Sequence, residues 1–324
     1  MIRRTVLLAA VLFIFSACSA LAGANESIPA LISSGSVDQA ITALRNQVTQ
    51  SPTDAVAHNL LCRAYFALGD WDRGIAECEK AVSLAPAESR YHLWLGRAYG
   101  EKADRSGWMT AAGLAKHVRS EFEIAVRLDP SNVDARSDLA EFYLEAPGIV
   151  GGGRDKAEQQ ADLLRSFDRA RAYWINGRIA EKEHDLSEAE TEYKKAIEAS
   201  NGSAAAWLNL GLFYRHRERW DDMEKALMHV RGAPLQDRPD ALVDAAEILL
   251  RAQRNLQEAV QLLRAYLKSD SKDEQAPAFK AHYLLGSAAE KMGDKEMAAS
   301  EYRSALSLAR DFRPAQEALQ RLNR

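Results

Sequence analysis

The chain has 324 residues, of which 8% are aromatic and 27% charged, and a formal net charge of −4. This composition suits a soluble helical protein of one large or two ordinary domains. It argues against a general nucleic-acid binder, which needs clustered excess Lys and Arg to displace phosphate counterions.

The first 22 residues differ from the rest. Arg3 and Arg4 precede an uncharged stretch from Thr5 to Ala24, most apolar between Val6 and Phe15. Ala20-Leu21-Ala22 then places small residues where a signal peptidase needs them. Residues 1–22 therefore read as an export signal, whose removal takes two Arg and no acid and leaves the chain at −6. Two other readings stay open. The uncharged run is long enough to remain as an uncleaved membrane anchor. Phe15-Ser16-Ala17-Cys18 resembles the lipobox of bacterial lipoproteins, with Phe15 where that motif usually has Leu. The expected location is periplasmic or secreted, with membrane contact only if Cys18 is lipidated or the signal is retained.

A 34-residue beat follows, most legible at Trp207-x2-Leu210-Gly211-x2-Tyr214. A partial copy shows Gly35, Ala40, Leu44 and Pro52, and seven fuller copies begin at Ala55, Ser89, Val133, Ala170, Ala204, Asp240 and Phe279. Small residues at the eighth and twentieth places let two helices of a hairpin approach. Larger ones at the fourth, eleventh and twenty-fourth fill the gap, and Pro stops the second helix. No period-two run of β-branched residues indicates a strand.

These residues resemble the signature of the tetratricopeptide repeat over nearly the whole chain. The resemblance implies an all-α, right-handed superhelical α-solenoid over residues 25–312, with a concave wall that binds protein or peptide partners. Each hairpin has an apolar face that only its neighbours can bury, so an extended groove is expected rather than one deep pocket. Residues 313–324 read as one more amphipathic helix, from Arg313-Pro314 to Leu322, capping the open end.

Two copies depart from the beat. About ten extra residues lie near 101–112, around Arg105-Ser106-Gly107-Trp108-Met109, and about five more near 146–151, within Ala146-Pro147-Gly148-Ile149-Val150-Gly151-Gly152-Gly153. Both fall between the helices of a copy, so Trp108, Met109, Ile149 and Val150 are expected together on one edge. There they either cover one another or offer a docking lip. The Gly-rich run lacks Gly-Lys-Ser/Thr and follows a helix, so it is no phosphate loop. The pair of insertions resembles that of some exported bacterial tetratricopeptide proteins, a likeness that carries no activity.

Chemistry is harder to find. His58, His92 and His282 share the fourth place of their copies, which belongs to the packed face, and no Cys or carboxylate joins them at ligand spacing. Neither a metal site nor a nucleophile–base motif is expected. Glu121 and Glu123 read as solvated charge. Cys62 and Cys78, at the eighth and twenty-fourth places of one copy, face each other across a hairpin. They form either a disulfide or two small core residues.

The concave stripe comprises the second, fifth, ninth and twelfth places of each first helix. Over seven copies it carries the cations Arg63, Arg90, Arg97, Arg171, Arg178, Arg215, Arg251 and Lys280. The anions are Asp134, Glu141, Glu181, Asp244 and Glu290. Leu93, Trp174, Leu208, Leu212, Ile248 and Tyr283 supply apolar platforms on the same wall. A partly basic groove is expected, suited to a segment bearing acidic residues or a free C-terminus. The carboxylate clamp of chaperone-binding relatives does not transfer, because its Lys-x3-Asn, Asn, Lys-x3-Arg series is missing. The function expected is a non-enzymatic protein–protein scaffold of the bacterial envelope, without cofactor, nucleic acid or small-molecule substrate. The alternative is a lipid-anchored assembly factor.

Overall fold

A computed structural model describes residues 27–235 and 238–322. The export signal, the retained anchor and Cys18 lie outside the described residues. Among those described there is no strand, and no helix is long and apolar enough to cross a membrane.

The partial copy is α1 (Ile28–Ser33) and α2 (Val37–Gln50). Seven hairpins follow: α3 (Ala55–Leu68) with α4 (Trp71–Leu84), α5 (Ser89–Asp104) with α6 (Trp108–Leu128), and α7 (Val133–Glu145) with α8 (Arg154–Leu164). Next come α9 (Arg169–Lys182) with α10 (Leu186–Ala199), α11 (Ala204–His216) with α12 (Trp220–Val230), and α13 (Ala241–Ala252) with α14 (Leu256–Lys268). The last hairpin is α15 (Ala278–Lys291) with α16 (Lys295–Leu308), and α17 (Arg313–Leu322) ends the fold. The result is an α-solenoid. Four first helices begin at the residue counted from the sequence, and α9, α13 and α15 begin one residue away.

Local chemistry sets these boundaries. Asp54, Asp70, Asn132, Asp168, Asp185, Ser203, Asn255 and Asp294 each accept a hydrogen bond from a backbone N–H in the first turn of the helix that follows. Such a cap satisfies a donor the helix cannot, worth about 1 kcal/mol. Within hairpins, the eighth and twenty-fourth places meet. A Cβ added to Gly96, Gly177 or Gly286 would press on the rings of Phe122, Tyr193 or Tyr302, at 2.5, 3.2 and 2.5 Å. In the first full copy the same two places are Cys62 and Cys78, and there the contact is a disulfide with Cα atoms 5.2 Å apart.

The insertions are not loops of equal kind. The ten extra residues lengthen the hairpin itself: α5 has 16 residues and α6 has 21, against 14 in α3 and α4. The five extra residues form a short 3-10 turn, Gly148–Val150, which docks on α6 where Arg119 Nη1 donates to the Val150 carbonyl at 3.2 Å.

The stack closes on itself, which the sequence did not lead us to expect. Ile32, Val37, Ala40 and Leu44 from the N-terminal pair share one hydrophobic cluster with Phe279, Ala305, Phe312 and Ala315 from the C-terminal end. The Arg310 backbone N–H donates to Asp38 Oδ2 at 2.9 Å, across 272 residues of sequence. Gly35, at φ +86, lies so close that a Cβ there would stand 2.7 Å from the Ala278 nitrogen. Consequently α17 does not cap an open end. It buries Ala315 into this seam and Ala318 against the last hairpin.

Candidate functional site

Closure turns the concave wall into the lining of a central cavity of about 1160 Å3. Its staves are the first helices of the hairpins, from α3 to α13, completed by the turn before α15 that carries Asp273, Glu274 and Gln275. The volume exceeds the ~300–1,000 Å3 usual for small-ligand pockets. The extended groove is therefore curled into one half-open chamber.

Most of the basic stripe is already neutralised. Arg63 Nε donates to Glu274 Oε2 at 2.7 Å, a contact spanning 211 residues that bridges the cavity at its closing point. Arg97 Nε meets Asp138 Oδ2 at 2.6 Å. Arg178 contacts Glu141 at 2.5 Å and Glu145 at 2.9 Å, while Arg171 reaches Asp134 at 3.2 Å. On the other side Lys280 meets Glu247 at 3.2 Å, and Arg251 also pairs with Glu247. The helix α7 is thus an acidic stave between two basic ones. The sequence count included Asp134 and Glu141 but missed the other acids, because Asp138 and Glu247 occupy the sixth and eighth places and Glu274 sits in a turn. Arg63–Glu274 and Arg97–Asp138 are mostly buried, so losing either partner would leave a largely desolvated charge unpaired.

Two expected members of the stripe behave otherwise. Glu181 is buried away from the cavity, where it accepts from Tyr193, His216 and Arg217. Leu208 is packed into the core, although its edge still reaches the cavity.

Burial alone would lower the Arg97 pKa, yet Asp138 opposite raises it. Burial pushes Glu141 up despite Arg178. Asp244 is pushed up to about 6, first by burial and then by Asp240 and Glu247, against Lys280 and Arg238. About a third of its side chain meets solvent, on the cavity side.

Against this paired background Arg215 stands apart. It lies half-buried in the last turn of α11, faces the cavity with Trp174, Asn209 and Leu212, and has no ion-pair partner among the described residues. Arg90 on α5 also lacks one but is exposed at the rim. Trp174 and Leu212 are partly buried against the core and keep a face toward the cavity. An unpaired guanidinium beside an aromatic and an aliphatic surface can take a carboxylate in bidentate fashion while the apolar surface takes a neighbouring side chain.

The tetratricopeptide repeat family matches residues 31–98, 176–228 and 279–312. The chain is a tetratricopeptide repeat protein. Among solved structures it is similar to yeast Tom70, at 16% identity and a TM-score of 0.53, over 89% of this chain and 58% of that one. It is also similar to a thermophilic tetratricopeptide protein of Thermus thermophilus, at 19% identity and a TM-score of 0.46, over 55% of this chain and 90% of that one. No curated protein matches the chain. A tetratricopeptide fold is generally a non-catalytic scaffold with protein or peptide partners.

Elsewhere on this tetratricopeptide stack the expected edge is only partly assembled. Trp108, Met109 and Ile149 are 81%, 71% and 91% exposed, but Val150 is 5% exposed and belongs to the packed interior. The Val150 carbonyl lies on Arg119, eleven residues along α6 from Trp108, or roughly 16 Å at 1.5 Å per residue. The four side chains therefore do not cover one another. His58 and His92 are buried as expected and His282 is 25% exposed in its side chain, but each has a carboxylate: His58 meets Glu77, His92 meets Glu121 and His282 meets Glu301. Glu121 is thus no solvated charge, while Glu123 is 43% exposed in its side chain and accepts from the Tyr143 hydroxyl at 2.9 Å.

Proposed function

We infer that this protein is a non-catalytic scaffold of the bacterial cell envelope that holds one segment of a partner protein inside its closed wall. A carboxylate of that segment, from an acidic side chain or the chain terminus, sits on Arg215, and an apolar side chain lies on Trp174 and Leu212. The observation that supports this reading is the contrast within the wall. Arg63, Arg97, Arg171 and Arg178 are all held by acids of this chain, whereas Arg215 is left for a charge from outside. A half-buried charge without a partner is costly, and a ligand carboxylate removes that cost. Export rests on residues 1–22. The second reading, a lipid-anchored assembly factor, rests on Phe15-Ser16-Ala17-Cys18 and is decided by mass analysis of the N-terminus of the processed protein.

The test places a photo-crosslinking residue at Leu212 and identifies envelope proteins bound there, with and without Arg215→Glu. The peptide mapped at the crosslink is then synthesised with a free acid and with its carboxylates amidated. The expected result is crosslinking that Arg215→Glu abolishes, with amidation weakening binding at least about tenfold. Equal crosslinking with Arg215→Glu, or equal affinity of acid and amide, refutes the reading.

A further inference from the structure

The fourth place of the first helix carries a different kind of side chain in different hairpins, yet three of them make the same two contacts. In α5, His92 Nδ1 lies 2.6 Å from Glu121 Oε2 on α6, and Nε2 lies 3.0 Å from the Pro86 carbonyl. In α3, His58 Nδ1 lies 2.6 Å from Glu77 Oε2 on α4, and Nε2 lies 3.1 Å from the Pro52 carbonyl. In α7 the residue is Arg136, whose Nη1 donates to Gln160 Oε1 at 2.9 Å and whose Nη2 donates to the Pro130 carbonyl at 2.7 Å. The carbonyl is six residues back in every case. The second-helix partner is 19 residues on for His58, 24 for Arg136 and 29 for His92. The increments match the five and ten residues inserted in those two copies. The three sites are therefore one structural position.

Arginine shows what that position demands. Both of its neighbours are acceptors, so the occupant must donate twice. A guanidinium always can. A neutral imidazole carries one N–H and would set a lone pair against one of the two oxygens, whereas imidazolium donates from both nitrogens. The groups that face His92 favour the cation: Glu121 and the Pro86 carbonyl, with Arg127 opposing more weakly. Beside His58 stand Glu77 and the capping carboxylate of Asp54. Burial alone would lower the His92 pKa, but these partners raise it above the ordinary value.

The placement of these rings matters. The helix carrying His58 lies in the seam, where Ala57, Leu60 and Leu61 join Phe279 and Phe312 in one cluster. The hairpin of His92 is next to it. His282, on the other side of the seam, meets Glu301 at 2.7 Å, again 19 residues on. Away from the seam the same place is held by Arg136, Trp207 and Val243, which do not titrate near neutrality.

We propose that His92 is a proton-set staple, which holds α5 to α6 in the hairpin beside the seam as imidazolium and loosens that hairpin when the proton leaves. The sign follows from linkage. A histidine whose folded-state pKa is raised contributes stability that is complete below about pH 6.5 and is lost as pH rises through the folded value. The α5–α6 hairpin is therefore held tightest in mild acid.

The test compares the full chain with the variant His92→Arg, which writes the Arg136 solution into the α5 site. Urea-unfolding midpoints are measured between about pH 6.5 and pH 9, with Asp244 present in both proteins so that its titration cancels. The expected result is a falling midpoint in the native protein, with a smaller fall in the variant. An equal pH dependence in the two proteins, or none in the native one, overturns the proposal. Should the variant fold poorly, nitrogen-15 spectra of the imidazoles in the native protein decide. Two protonated nitrogens on His92 at about pH 7 support it, and a single one sinks it.

Discussion

Replacing Gly35 with Ala tests the seam, and the structure supplies its own control. Gly35 and Gly293 both sit at φ +86, where any L side chain is strained. An Ala at either should cost roughly 1–2 kcal/mol for the left-handed backbone. The surroundings differ. Nothing lies within 4 Å of a Cβ at Gly293, whereas at Gly35 it meets the Ala278 nitrogen at 2.7 Å, the Phe279 nitrogen at 3.1 Å and the Ala278 Cβ at 3.2 Å. The first two obstacles are backbone and cannot rotate away, so the N-terminal pair must move off α15. Overpacking of this kind adds about 1–3 kcal/mol. Gly35→Ala should therefore lose about 1–3 kcal/mol more than Gly293→Ala in urea unfolding, and only Gly35→Ala should enlarge the radius of gyration in small-angle scattering. Equal losses with unchanged radii would mean that the ends do not meet in solution.

Three further outcomes follow from other parts of the fold. Cys62→Ala/Cys78→Ala removes a bridge between residues 16 apart and should cost about 3 kcal/mol, and alkylation without reductant followed by mass analysis should find neither thiol free in the native protein. Gly96→Ala drives a methyl to within 2.5 Å of the Phe122 ring and should cost about 1–3 kcal/mol. Combining it with Phe122→Leu should recover part of that loss in a double-mutant cycle. Asp244, pushed up to about 6, destabilises the fold while charged, because the unfolded chain lets it ionise more easily. Asp244→Asn should raise the unfolding midpoint near pH 8, and the gain should shrink as pH falls through about 6 and vanish below about 4, where the carboxyl is neutral in both states.

What the sequence disclosed depends on the distance over which each feature is decided. Gly96, Gly177 and Gly286 face Phe122, Tyr193 and Tyr302 within single hairpins, so their spacing reveals the packing even across an insertion. The disulfide lies within that same short range. The cavity wall is decided between hairpins. A list of outward places showed Arg63, Arg97 and Arg178, and the Glu141 that faces Arg178, but not the acids facing Arg63 and Arg97, because Asp138 sits one place off the stripe and Glu274 lies in a turn. The His–Glu contacts were legible in principle, since His58 and His282 each have a Glu 19 residues on, but in His92 the inserted ten residues disguise the interval. Closure is the least legible feature. It sums a small rotation at every hairpin, and no local pattern announces when that sum completes a turn.

A linear array of hairpins can gain or lose a member at modest cost, because each touches only its neighbours. Here Asp38 reaches Arg310 and Gly35 reaches Ala278, so the number of hairpins becomes a geometric condition. Deleting one would leave the arc short, and duplicating one would force the ends past each other. Such a chain should diversify through substitution along its inner staves and through lengthened hairpins such as α5 and α6, while its module count stays fixed.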